Sequence, residues 1–192
     1  NSKKIREAAA YDCAYKEKLM RKRTGLPQSF YKNEKYNTLR FERFTEVCKD
    51  FFLVSPDCTD KPIEADRHFY IKRRGGYVAD DFSEECFAVC FPKRRCDGFV
   101  LLTACSYSGV ADMVKTAVRL WDAPVLSVIG GFGLCSPSGK LSVTAHEAEK
   151  TAKELSKLGT GSSYTCHNTG RKGYDIMKEI LGDRLQYLRA GE

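Results

Sequence analysis

Two kinds of hydrophobic spacing divide the chain. From residue 98 onward, short apolar runs alternate with segments whose apolar positions recur every three to four residues. These are strand GFVLLTA, loop CSYSG, helix VADMVKTAVRLW, strand APVLSVIGG and loop FGLCSPSGK. Helix VTAHEAEKTAKELSKLG, strand SSYTC, loop HNTG, helix RKGYDIMKEILG and strand RLQYL follow. Such alternation specifies a sheet covered by helices. Loops leaving the carboxyl ends of the strands then gather on one edge, where ligands bind in folds of this kind. Three loops fall there: 104–109, 130–135 and 166–170.

Upstream the pattern is less regular. Residues 2–24 predict a helix, with Ile5, Ala8, Ala9, Tyr15 and Leu19 near helical spacing and Ser2 as its cap. Gly25-Leu26-Pro27 ends it. A second helix is expected over 38–48, burying Leu39, Phe44, Val47 and Cys48. Asp50–Val54 and His68–Lys72 read as strands separated by the turn-rich SPDCTDKPIEAD, and Gly75-Gly76 as a turn. Cys86–Phe91 and Gly98–Thr103 are apolar strands joined through Asp97-Gly98, a dipeptide suited to a hairpin.

Composition narrows the class. The 192 residues are 42% apolar and 30% charged, which is globular rather than disordered. No apolar run approaches the roughly 20 residues that span a bilayer. The first residues lack the apolar stretch of a secretory leader, and they begin abruptly in a helical pattern, so we expect further residues upstream. Nine cysteines, several inside apolar runs, read as free thiols packing as small hydrophobes and point to the cytoplasm. Cys86 and Cys90 lie on one side of a strand with Cys96 near across the hairpin, but zinc needs a fourth ligand that the pattern does not supply.

The net charge of +7 is uneven: residues 1–50 hold 13 basic and 7 acidic side chains, most of the excess. A basic helix (Lys16, Lys18, Arg21, Lys22, Arg23) can attract polyanions or can simply be a solvated face. The interspersed acids favour the solvated face, and nucleic acid is not the expected partner.

The three loops carry a resemblance. LLTACSYSGV, VLSVIGGFGL and YTCHNTG…LGDRLQYLRAG are similar to the C-terminal half of metallo-β-lactamase-fold proteins. They most resemble the dihydropterin ribofuranosyl-aminobenzene phosphate synthase-like branch. That branch shows strand–GCSHAG–helix, strand–IGGFHL, strand–CHCTG–helix and a closing GD…L..G tail. Order and spacing match over about residues 78–192, whereas 1–77 fit only as a basic, helical and irregular insertion. The resemblance implies an α/β (α+β) fold, a mixed sheet covered by helices. In complete members this is one half of an αββα sandwich. A half-sandwich exposes an apolar sheet face, so we expect a homodimer, a pairing with a missing N-terminal half, or a repair by residues 1–77.

The departures from that pattern bear on chemistry. Tyr107 and Gly133 stand where the branch has histidines, and Asn168 where it often has cysteine; His167 remains. The upstream HxHxDH signature has no counterpart, and the only histidines are His68, His146 and His167. A hydrolytic metal needs about three protein ligands and an open position for water. His167 with Tyr107, even as a phenolate, does not hold a two-metal cluster. No catalytic residue is therefore assigned, and no cofactor is expected in this chain alone. Zinc, iron or manganese enters only if an upstream half supplies ligands.

What the loops retain is backbone geometry. Residues 106–109 and 168–170 each open a helix whose free amides favour anions, although Ser108 and Thr169 would serve equally as caps. Gly130, Gly131 and Gly133 allow close approach to a ligand or a tight turn. Cys105 and Cys166 end strands at the cleft, but Cys166 and His167, adjacent on a strand, point apart and make a poor dyad. The candidate ligand set is Cys105, Ser106, Tyr107, Ser108, Gly131, Phe132, Gly133 and Thr169, with His167 as the remaining metal donor. Three readings follow: a binding or partner module without its metals, taking an anionic or pterin-like molecule; a fragment of a metal-dependent hydrolase or synthase; or a polyanion-binding protein.

Overall fold

The computed structural model describes residues 11–15, 18–22, 29, 43–57, 70–80, 82–83, 85–136, 140–189 and 191. In chain order the strands are β1 (Tyr11–Tyr15), β2 (Lys18–Lys22), β3 (Phe44–Cys48), β4 (Phe51–Val54), β5 (Tyr70–Arg73), β6 (Gly76–Ala79), β7 (Phe87–Cys90), β8 (Phe99–Leu102), β9 (Val125–Gly130), β10 (Ser162–Thr165) and β11 (Leu185–Tyr187). The helices are α1 (Val110–Trp121), α2 (Ala145–Lys157) and α3 (Gly170–Leu181). Contacts group the chain into two units, residues 1–40 with 67–81 and residues 41–66 with 82–192.

In the smaller unit, β1 and β2 pair antiparallel, from Tyr11 opposite Lys22 to Tyr15 opposite Lys18. Strands β5 and β6 form a second hairpin, turning at Arg74-Gly75 next to the expected glycine pair. In the segment expected as a helix over 2–24, Tyr11–Tyr15 and Lys18–Lys22 are therefore paired strands; the rest of that segment lies outside the described residues. Its apolar spacing fits both periods, and an antiparallel partner strand decides between them. Lys18, Arg21 and Lys22 thus lie on a strand, so no basic helix forms there. Lys16 and Arg23 lie outside the described residues.

The larger unit is built on a seven-stranded mixed sheet, ordered β11-β10-β9-β8-β7-β4-β3. Strands β8 to β11 run parallel, while β7, β4 and β3 add antiparallel. Along β8-α1-β9-α2-β10-α3-β11 each crossover moves one position in the same direction. Crossovers of the usual right hand then put all three helices on one face. Side chains alternate to match: Phe87, Val89, Phe99, Leu101, Val128 and Leu185 are buried in one core with Met113, Val114, Ala152, Leu155, Met177 and Leu181 of the helices. On the opposite face Leu53, Ala88, Val100, Leu102, Ile129 and Tyr164 are half-buried. The α/β class and helix-covered mixed sheet expected from the sequence are what the chain forms.

Two upstream expectations change. Residues 44–48 form an edge strand, not the end of a helix, with Phe44 opposite Val54 and a bulge between Glu46 and Cys48. Phe44 is 48% and Val47 45% exposed, and Cys48 is exposed too, so these three do not form the expected buried side; Leu39 lies outside the described residues. Pairing with β4 engages one edge of this backbone, and the Phe44 ring packs on Phe52 and Trp121 at 5.4 and 5.7 Å. The β7–β8 connection is also longer than a two-residue hairpin. It contains a 3-10 turn at Arg95–Asp97 and reaches β8 through Gly98, whose φ of 113° suits glycine.

An aromatic cluster closes this end of the core. Trp121 lies 5.2 Å from Phe52, 5.5 Å from Phe91 and 6.2 Å from Phe99. Arg95 covers Phe52 at 5.0 Å while pairing with Asp50 at 2.8 Å. Phe99 is fully buried at its centre. Replacing Phe99 with Ala therefore should cost roughly 3–5 kcal/mol, from lost burial and the cavity left behind. Urea unfolding followed by Trp121 fluorescence measures it, and a loss under about 1 kcal/mol would contradict this packing.

Candidate functional site

The three loops meet at the carboxyl ends of β8, β9 and β10, where parallel pairing brings those ends together. They are joined by side chains as well as backbone. Asn168 is buried, its Nδ2 donating to the Cys105 carbonyl at 2.8 Å and its Oδ1 accepting from the Gly133 amide at 3.3 Å. Its own carbonyl accepts from the amides of Leu134 and Cys135 at 2.9 and 2.7 Å. One residue of the third loop thus holds the other two.

Two hydroxyl chains complete the connection, and their direction follows from counting protons. Ser106 Oγ donates to the Gly131 carbonyl at 2.8 Å, so in its 3.0 Å contact with Thr103 it must accept. Thr165 Oγ1 donates to the Gly130 carbonyl at 2.9 Å, so Thr169 Oγ1 donates to Thr165. Thr169 Oγ1 in turn accepts from the Phe132 amide at 2.9 Å. Each hydroxyl has one proton and each proton has a destination. Ser106, Thr165 and Thr169 are buried, where leaving one of these groups unpaired is costly.

The first loop has a further partner. The Glu85 carboxylate accepts from the amides of Tyr107 and Ser108 at 2.9 and 2.7 Å, and from Ser108 Oγ at 2.6 Å. The amides expected to attract an anion at the start of α1 therefore already hold an internal one. Ser108 does not cap α1, whose N-cap is Gly109 with no side-chain bond. Thr169 occupies the N-cap position of α3 but spends its hydroxyl on Thr165 and Phe132 rather than on the helix.

The candidate residues come together, but not as metal donors. Tyr107 is half-buried and stacks on Phe82, ring centroids 4.8 Å apart at 22°. Gly133 has φ 68°, and a Cβ there would meet the Ser106 carbonyl oxygen at 2.7 Å, so this backbone excludes a histidine as it stands. A Cβ at Gly131 would overlap Asn168 Oδ1. The close approach these glycines permit is to the other loops. His167 is exposed, at φ 49°. Phe82, Ser106 and His167 are three of the described non-glycine residues with positive φ, and all three lie at or beside these loops. Backbone held in this region is strained and persists where the surroundings fix it. His146 is exposed on α2, and His68 lies outside the described residues. Among the described residues no three His, Cys, Asp or Glu approach closely enough to share a metal ion. The donors present here do not fit a dinuclear centre. Cys86, Cys90 and Cys96 are free thiols.

Glu85, Thr103 and Phe82 have no local signal in the sequence. Glu85 reaches its amides across 22 positions, with nothing between to mark the pairing. It also acts on its neighbour: burial, and then the Glu85 charge, push the Cys86 thiol up from its ordinary range. The fold thus favours neutral Cys86. That contribution to stability is full below the unfolded thiol's pKa and lost as pH rises through the raised one.

With the site in view, the comparisons define a class: the chain has the metallo-β-lactamase fold, and its likeness falls in the branch that the loops resemble. It is similar to a crystal structure of a metal-dependent hydrolase of the β-lactamase superfamily, with TM-score 0.76 and 26% identity over 97% of this chain and 67% of that one. It is also 28% identical over 124 residues to the 7,8-dihydropterin-6-methyl-4-(β-D-ribofuranosyl)-aminobenzene-5′-phosphate synthase of Methanocaldococcus jannaschii. That match takes in 64% of this chain and 39% of the synthase, so the chain spans about two fifths of its relative. No family model matches.

Two outcomes check this geometry. Glu85→Ala leaves three donors without their carboxylate and should lower stability by about 2 kcal/mol, more than Glu85→Gln; equal, negligible losses in denaturation would contradict the contact. In alkylation across a rising pH series, exposed Cys48 and Cys96 should be modified before Cys86, as peptide mass mapping would show. Cys86 reacting first would refute its burial beside Glu85.

Proposed function

We propose that this chain is a non-catalytic module of the metallo-β-lactamase fold that has lost its dinuclear centre and works by binding an anionic or pterin-like molecule or a partner. The supporting observation is that the loops meet without bringing three metal donors together among the described residues: Asn168 ties Cys105 to Gly133, Tyr107 is stacked on Phe82, and Gly133 has neither a side chain nor space for one. A hydrolytic centre uses its metal to lower the pKa of a bound water and to polarise the substrate. The described side chains here offer no comparable set. The ligand class follows the synthase relative, whose name carries a pterin and a phosphate. The partner reading rests on the half-buried apolar face opposite the helices, which suits a second copy or another polypeptide.

A second reading keeps enzymatic function. Because the chain spans 39% of the synthase and 67% of the structural neighbour, ligands from a separate segment would complete a metal-dependent hydrolase or synthase. That segment must then contend with Tyr107 and Gly133.

Hydrolysis of a chromogenic phosphodiester separates these readings for the chain itself. With zinc, iron or manganese supplied, we expect turnover no higher than in buffer with the same metal. Metal-dependent turnover that falls at least tenfold in His167→Ala would overturn the non-catalytic reading.

A further inference from the structure

Beside the third loop, and outside the hydrogen-bonded set just described, a solvent-open groove of about 570 Å³ runs between α3 and the edge strand β11. Its lining includes Arg171, Tyr174, Lys178, Gln186, Tyr187 and Arg189. Arg171, Tyr174 and Lys178 stand at i, i+3 and i+7 on α3, hence on one helix face and about 10 Å from end to end. Tyr187 meets Tyr174 edge to face, centroids 5.4 Å apart at 89°. Arg171 lies over the Tyr174 ring at 5.5 Å. Three cations and two tyrosines thus line one groove, with Gln186 adding an amide that both donates and accepts.

We propose that this groove binds a small organic phosphate bearing a flat ring, in the size class of a nucleoside monophosphate. Guanidinium groups recognise phosphate through paired N–H donors, and a tyrosine offers a face or edge to a planar ring. The volume lies within the range of small-molecule sites and is far larger than a bare phosphate needs. Acids stand close by: Arg171 pairs with Asp175 at 3.1 Å, and Lys178 lies 3.7 Å from Asp183 while donating to the Leu185 carbonyl at 2.8 Å. The Arg171–Asp175 pair is solvent-exposed, with side chains 74% and 54% accessible, and Asp183 is fully exposed. Exposed pairs of this kind are weak, and a phosphate carrying more charge can displace them. In the three loops, by contrast, the amides of Tyr107, Ser108, Phe132, Gly133, Leu134 and Cys135 are already engaged by Glu85, Thr169 and Asn168. The proposal is independent of whether those loops hold a metal, since none of its residues is a candidate metal donor.

Calorimetric titration of the full chain with adenosine 5′-monophosphate, adenosine and inorganic phosphate tests it. The monophosphate should saturate one site per chain, with adenosine and phosphate each at least tenfold weaker. The double variant Arg171→Glu with Arg189→Glu should weaken the monophosphate at least tenfold while leaving the melting temperature near that of the unmodified protein. Should the double variant fail to fold, Arg189→Gln and Tyr187→Leu, tested singly, should each weaken binding several-fold. No saturable binding, or binding unchanged in folded variants, overturns the proposal. An oligonucleotide that binds tightly where the monophosphate does not overturns it in favour of a nucleic-acid surface.

Discussion

Three strands end side by side, and something must hold their loops in register at that edge. In this chain the main holder is the Asn168 side chain, bonded to the Cys105 carbonyl on one side and the Gly133 amide on the other. Both of its ends are spent, and the residue is buried, so the loops cannot separate without stranding a carbonyl and an amide away from water. The Thr103–Ser106 and Thr169–Thr165 hydroxyl chains repeat the constraint at the two flanks. Glu85 pins the first loop to the segment just before β7.

This arrangement has consequences for chemistry. A metal centre cross-links the loops that ligate it, so removing metal donors ordinarily leaves those loops loose. Here neutral hydrogen bonds supply the cross-links, and the glycines are fitted to them: Gly131 yields its space to Asn168, and Gly133 lies against the Ser106 carbonyl. An edge organised in this way is held by its own hydrogen bonds. The basic side chains Arg171, Lys178 and Arg189 lie away from this edge, lining the groove between α3 and β11.

Much of the fold was legible because β8 through β11 alternate with amphipathic helices, and helix α1 was read at its observed limits, 110–121. The upstream misreadings have a common cause. In Phe44–Cys48 and Tyr11–Tyr15 the apolar spacing fits helix and strand alike, and the choice is made by partner strands: Phe51–Val54 for the first and Lys18–Lys22 for the second. At the candidate site, the sequence pointed to three loops that the fold does bring together, and to Tyr107, Gly133 and Asn168 as departures from a known pattern. It did not reveal that Asn168 is the staple, or that Glu85 fills the amides at the start of α1. Those contacts span 63 and 22 positions, and no local period encodes them.

The central claim is that hydrogen bonds, not metal ions, hold this edge together. Metal analysis of the protein purified without chelator, paired with its melting temperature before and after chelation, tests it most directly. The account predicts far less than one zinc, iron or manganese per chain and a melting temperature that chelation does not move. Two tightly bound ions per chain, with a marked drop in melting temperature on their removal, would contradict it.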